Sequence, residues 1–175
     1  MNLQGALSLI RQIPDYPKPG ILFQDITPLL ANADAFKEVL IEMSQHGKDA
    51  QVVAGIEARG FIFGSALAAH TDRSFVPIRK SGKLPFKTHS AKYGLEYGDD
   101  EIEIHIDAFE PGQKVIIVDD VLATGGTLLA AIDLAIKCGA KVDGVIVLME
   151  LEFLEGRKLI LEKYPHININ SLVKA

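Results

Sequence analysis

Hydrophobic positions along the chain alternate between two spacings, and the change from one to the other marks out the elements. Leu3, Leu7 and Ile10 fall on one helical face and predict a helix near 3–12. Pro14, Pro17, Pro19 and Gly20 then break regularity, and ILFQDI runs extended up to Thr27 and Pro28. Phe36, Val39, Leu40 and Met43 form the apolar stripe of a helix over 33–46. QVVAG at 51–55 reads as a short buried strand. GFIFGSALAAH at 60–70 reads as the helix that follows, with Gly60, Gly64, Ala66 and Ala69 small enough for close packing. FVPIR at 75–79 is the next strand, and Pro77 places it near an edge or bulge. Residues 80–100 are rich in Lys, Gly and Ser with little periodicity, which predicts a long loop. A functionless loop of that length is unusual in a compact domain. EIEIHI at 101–106 alternates as a half-exposed strand does. Pro111-Gly112 turns the chain into the strand KVIIVD, and a helix fills 127–138. VDGVIVLME is a further strand, 153–163 a short helix, and ININSLV a last strand.

Strands alternating with helices predict an α/β fold with a mainly parallel twisted sheet flanked by helices. The chain has 175 residues, which fits a single domain with a self-sufficient core. Apolar residues make up 48% and charged residues 23%, a globular balance. The net charge of −5 argues against binding a nucleic-acid backbone, which needs a basic face. The one cysteine, Cys138, excludes an internal disulfide and reads as a small packed residue at a helix end. His46, His70, His89, His105 and His166 lack metal-ligand spacing, so no protein-held metal is expected. MNLQGALSLIRQ lacks the parts of a secretory leader. No apolar run reaches the ~18 residues that span a bilayer. A cytoplasmic protein with no membrane partner is expected.

The chemistry concentrates in VIIVDDVLATGGT at 115–127. A strand ends on two adjacent acids, Asp119 and Asp120. A loop of small residues follows, Ala123, Thr124, Gly125, Gly126 and Thr127, and then a helix begins. This order suits a sugar phosphate: the acids can accept from ribose hydroxyls, and amides at a helix N-terminus can face a phosphate. The loop has no lysine before Lys137, so it is not a Walker-type loop, and G-x-G-x-x-G occurs nowhere. Two glycines alone also make an ordinary packing turn. Paired acids at a strand end, which repel each other, fit a ligand site better.

The stretch resembles the phosphoribosyl-diphosphate signature of the type I phosphoribosyltransferases. Three further segments narrow the resemblance to the adenine-using branch: DYPKPGILFQDITPLL at 15–30, GIEARGFIFG at 55–64, and RKSGKLP with LEYG at 79–85 and 95–98. The likeness covers nearly the whole chain. It implies a small N-terminal hood, about 1–35, on a core of about 36–175, together with a long flexible loop. It implies purine salvage: adenine and phosphoribosyl diphosphate give AMP and diphosphate, with Mg²⁺ carried in on the diphosphate. A homodimer is also implied.

By the same resemblance, Ala123 to Thr127 carry the 5′-phosphate, and Asp119 and Asp120 the ribose. Glu57, Ala58 and Arg59 form the diphosphate loop, with a cis peptide between Glu57 and Ala58. Arg59 holds the leaving group, a task its fork suits. Arg79, Lys80 and Lys83 begin a lid that excludes water from a cation-like sugar. From sequence alone those cations equally describe a solvated loop. Glu96 is the implied general acid–base facing N7 of the base. Phe23 stacks on the purine, while backbone groups of Leu22 and Gln24 read its edge. Many relatives have arginine where this chain has Gln24. Two rivals remain: a transferase for another base, and a non-catalytic sensor, for which this chain has no basic output module.

Overall fold

The computed structural model of the chain describes residues 1–94 and 100–175. It divides into two compact units, Met1–Gln45 and His46–Ala175.

In the first unit, α1 (Leu3–Leu7) is capped by Asn2, whose side chain accepts from Gly5 N at 2.9 Å. The helix ends well before the 12 that its apolar spacing predicted, because residues Arg11–Ile13 are taken up as strand β1. β1 pairs antiparallel with β2 (Phe23–Asp25), and Arg11 opposite Asp25 approaches it to 2.6 Å. Asp25 also accepts from Thr27 N at 2.9 Å, opening the short helix α2 (Thr27–Leu30) with Pro28 in its first turn. α3 (Ala33–Ser44) is capped by Asn32, which accepts from Ala35 N at 3.0 Å. Its fully buried face is Ala35, Val39 and Met43, rotated slightly from the predicted stripe, with Phe36 and Leu40 half-buried.

The second unit is an α/β sheet. Its elements are β3 (Val52–Ile56), α4 (Gly60–His70), β4 (Ser74–Lys80), β5 (Thr88–Tyr93), β6 (Asp100–His105), β7 (Lys114–Leu122), α5 (Gly126–Lys137), β8 (Lys141–Glu150), α6 (Gly156–Lys163) and β9 (Asn168–Lys174). The strand order is β5-β6-β4-β3-β7-β8-β9. From β4 to β9 the strands run parallel, while β6 pairs antiparallel with β4 and β5. All five residues of β3 are buried, as are Val115 to Val118 of β7. Such unbroken apolar strands are expected where helices cover both faces. Val52, Ala54, Ile56, Ile117, Ile132, Val145 and Ile160 belong to one cluster that joins sheet and helices. Each fully buried aliphatic chain contributes roughly 1.5–3 kcal/mol relative to an exposed one.

β3 occupies the middle of the sheet. The chain leaves it for β4 on one side, and later comes back to β7 on the other. The direction of winding therefore reverses between β3 and β7. Crossover connections on opposite sides of such a point leave a crevice at the strand C-termini, the usual ligand position in open α/β sheets.

Three expectations change. Residues 80–100 are not all loop: Thr88–Tyr93 form β5, in register with β6 from Thr88 opposite His105 to Tyr93 opposite Asp100. Polar residues suit this strand because it lies at the end of the sheet. Glu103, expected on an exposed face of β6, is only 6% exposed. Its Oε1 accepts from the backbone N–H groups of Gly82, Lys83 and Leu84 at 3.1, 3.2 and 3.1 Å. Those bonds satisfy a charge that would otherwise be costly to bury. Last, the predicted helix over 153–163 is split into a 3-10 turn (Glu152–Leu154) and α6 by Glu155, whose φ is +54°. Pro77 lies where expected: β4 meets β6 only at Arg79 and Lys80 among the described residues, so its far side is open at the proline.

Removing the Glu103 acceptor strands three amides at once. We expect Glu103→Ala to lower stability by about 1–3 kcal/mol in chemical denaturation, with Gly82, Lys83 and Leu84 amides exchanging faster with solvent.

Candidate active site

β7 carries Asp119 and Asp120 to the crevice at the winding reversal. Adjacent strand residues point to opposite faces, and here the two acids are tied through the main chain, Asp120 N donating to Asp119 Oδ1 at 2.9 Å. Asp120 is 6% exposed. Its Oδ2 is buried and accepts no hydrogen bond, although Arg59 Nε stands 2.9 Å away. The contact is therefore an ion pair lacking hydrogen-bond alignment. Burial first, and the Asp120 charge second, push the Asp119 carboxyl well above the ordinary carboxylate range.

Arg59 stands just ahead of α4, and Gly60 begins that helix. A methyl on Gly60 would lie 2.8 Å from the carbonyl oxygen of Val118 and 2.9 Å from Asp119 Oδ1. The absence of a side chain lets the start of α4 rest on the end of β7. That contact brings the loop after β3 to the acids of β7.

Beyond β7, Ala123 and Thr124 lead to Gly125, whose φ of +86° places it in the left-handed region. Gly126 and Thr127 open α5, which no side chain caps. The first amides of a helix have no intrahelical acceptor. Here they border a cavity of about 50 Å³ lined by Val121, Ala123, Thr124, Gly125, Thr127 and Leu128. A single water needs only ~10–15 Å³, so the space admits a few waters or one compact anion. The helix dipole adds roughly 0.3–1 kcal/mol for such a charge. Direct N–H···O bonds must therefore supply most of the affinity.

Two of the cations at the end of β4 and just beyond it, Arg79 and Lys83, are already engaged. The Glu57–Ala58 peptide is cis. Glu57 accepts from Arg79 Nε and Nη2 at 3.2 and 3.1 Å, from Lys83 Nζ at 2.8 Å, and from Lys80 N at 3.0 Å. The Arg79 guanidinium, with Lys83 assisting, holds the Glu57 carboxyl down at about 2 against burial. Glu57 thus gathers two of the side chains expected to meet a diphosphate, Arg79 and Lys83.

Asp119, Asp120, Arg59 and Ala123 to Thr127 share one end of the sheet, as do Glu57, Arg79 and Lys83. In the other unit, Phe23 and Gln24 are half-buried and Leu22 is exposed. The Phe23 ring meets Tyr16 edge to face at 5.2 Å, and Gln24 sits opposite Gln12. Glu96 lies outside the described residues. Sequence reasoning missed Glu103, the acceptor for the turn carrying Lys83. The signal available was the carboxylate amid the isoleucines of β6. Among the described residues no group of three or more His, Cys, Asp or Glu side chains is arranged to hold a metal ion, and no helix is long and apolar enough to cross a membrane.

Residues 24–167 match the family model of the phosphoribosyl transferase domain. A curated relative from Francisella tularensis, an adenine phosphoribosyltransferase, is 51% identical over 99% of both chains. The crystal structure of adenine phosphoribosyltransferase from Thermoanaerobacter pseudethanolicus superposes with a TM-score of 0.92 at 48% identity, covering 99% of this chain and 100% of that one. The Saccharomyces cerevisiae enzyme, solved with an imino-altritol bisphosphate and adenine, gives a TM-score of 0.90 at 36% identity, with 97% of each chain covered. The fold is thus that of a phosphoribosyltransferase. At this identity and coverage, the chain belongs to the adenine phosphoribosyltransferase family.

Two predictions concern the charges. The Asp119 carboxyl is raised, so its ionisation opposes folding above the ordinary carboxylate range. Asp119→Asn keeps the acceptor for Asp120 N and removes that penalty. Its thermal midpoint should therefore exceed wild type, by a margin that grows as pH rises from about 4 towards neutrality, while its affinity for phosphoribosyl diphosphate falls. The Glu57 carboxyl is depressed from 4.5 to about 2, so the unfolded chain takes up its proton first as pH falls. Its contribution is complete above about pH 5 and fades towards pH 2. Stability measured across that window should fall less steeply in Glu57→Gln than in wild type.

Proposed function

We propose that this protein performs the reaction of its family in purine salvage, transferring the 5-phosphoribosyl group from phosphoribosyl diphosphate to adenine to give AMP and diphosphate. The observation that carries the reading is the convergence of Asp119, Asp120, Arg59 and the Ala123–Thr127 loop where the sheet reverses its winding. Amides of that loop bind the 5′-phosphate. The carboxylates of Asp119 and Asp120 take the ribose hydroxyls. As the bond from C1 to diphosphate lengthens, positive charge grows on the sugar, and the two acids face it from fixed positions. Charge placement of this kind contributes without a covalent intermediate.

Arg59 binds the leaving group with Arg79, Lys80 and Lys83, beside Glu57 and Ala58. Arg59 is paired with Asp120, and Arg79 and Lys83 with Glu57. Substrate phosphates therefore compete with internal carboxylates for these cations. Mg²⁺ prefers oxygen ligands and keeps several waters, so the diphosphate oxygens would hold it with few protein ligands. Carried in on the diphosphate, it would supply positive charge to the leaving group. Leu22, Phe23 and Gln24 serve the base, Phe23 by stacking and its neighbours by main-chain contacts. Residues of about 1–35 form the hood and those of about 36–175 the core of one phosphoribosyltransferase domain. A cytoplasmic homodimer is the form we expect; its family and its lone cysteine, which permits no internal disulfide, support that reading.

In this scheme Glu96 accepts the N7 proton as N9 attacks C1, and returns it in the reverse direction. Glu96→Gln should lower turnover with adenine by about 10²-fold or more while leaving AMP binding intact. Turnover within about twofold of wild type would remove Glu96 from the mechanism.

A further inference from the structure

The phosphate loop is backed by a residue far along the chain. A methyl on Gly156, the first residue of α6, would overlap the carbonyl oxygen of Ala123 and lie 2.8 Å from Gly125 N. In reverse, a methyl on Gly125 would lie 2.6 Å from Gly156 O and 2.9 Å from Gly156 Cα. Two backbones therefore touch with no side chain between them, directly behind the turn that aims the loop amides. A spacer of one carbon would move the loop or the helix, because neither neighbour is a flexible side chain.

The next residue pins this contact. Arg157 Nε donates to Glu150 Oε1 at 2.8 Å and Nη2 to Glu150 Oε2 at 2.5 Å. Nη1 donates to Ile169 O at 2.8 Å. Glu150, 3% exposed, also accepts from Ser171 Oγ at 2.8 Å. Arg157 thus ties the first turn of α6 to the last residue of β8 and to the first half of β9. Leu151 N, just past Glu150, donates to Leu122 O at 2.9 Å, immediately before the phosphate loop. The loop is held from behind at Gly156 and from its stem at Leu122. Fork-to-fork pairing fixes direction as well as distance.

We propose that Gly156, held in place by the Glu150–Arg157 pair, is a positioning residue that sets the path of the Ala123–Thr127 loop and so its grip on the ribose 5′-phosphate. The inference rests on the phosphate role assigned to that loop above. None of the three residues touches substrate; they act through the loop backbone.

The test is calorimetry on the full chain with AMP, adenosine and inorganic diphosphate. Wild type should bind AMP at least about tenfold tighter than adenosine. If it does not, the phosphate role of the loop fails, and this inference with it. Gly156→Ala should lose about tenfold or more of that preference, with diphosphate affinity within about twofold of wild type. A variant that keeps the preference would overturn the positioning role while leaving the loop's own role intact. Equal weakening of AMP and diphosphate would mark a general defect and overturn it as well. Glu150→Gln keeps the side-chain volume and breaks the charged fork. It should lose about threefold of the AMP preference, again with diphosphate spared, and it decides the matter should Gly156→Ala not fold. An unchanged preference in Glu150→Gln would overturn the anchoring.

Discussion

Negative charge at the end of β7, taken largely out of water, is the constraint to which the rest of the crevice answers. Two unit charges about 4 Å apart interact by ~1 kcal/mol in water but by ~4 kcal/mol at the effective dielectric near a protein surface. Asp119 and Asp120 are thus expensive neighbours, and the structure offsets them in three ways. The main-chain N–H of Asp120 serves Asp119, the guanidinium of Arg59 faces Asp120, and Gly60 lets the first turn of α4 approach without a side chain in between.

The opposite sign of charge is handled by the same logic on the neighbouring strand. Glu57 gathers Arg79 and Lys83, and Glu103 gathers the amides of the turn on which Lys83 lies. Two carboxylates of different burial thus hold one short segment, one by its side chains and one by its backbone. The backbone hold needs no release when ligand arrives, whereas the side-chain hold competes with a polyanion for the same cations. Orientation can therefore persist while charge is redistributed, which is the requirement for dipoles and ions organised in advance of reaction.

The central parallel strands β3, β7 and β8 were legible because they are largely buried and carry unbroken apolar runs. The phosphate loop was legible because Gly125 needs a left-handed backbone and Asp119 and Asp120 interrupt an apolar strand at its end. Local pattern was silent elsewhere. β5 is a strand by virtue of its partner β6, since Thr88, Ser90 and Lys92 carry no apolar alternation of their own. Glu103 looked exposed because alternation assigns a face, and the face was then covered by the turn at Gly82 to Leu84. Gly156 gave no signal, since its importance lies in a contact with Ala123 and Gly125 some thirty positions earlier. The shortening of α1 likewise follows from the pairing of Arg11 with Asp25.

Cys138, at the close of α5, is half-buried, and its thiol donates to the carbonyl oxygen of His105 at 3.6 Å. Burial pushes the thiol up from 9.0, so little thiolate exists at neutral pH and alkylating reagents find a sluggish target. Because no other sulfhydryl competes, a second cysteine installed at an exposed position should accept a maleimide fluorophore selectively. The native chain is in this sense already prepared for optical measurement of its own motions.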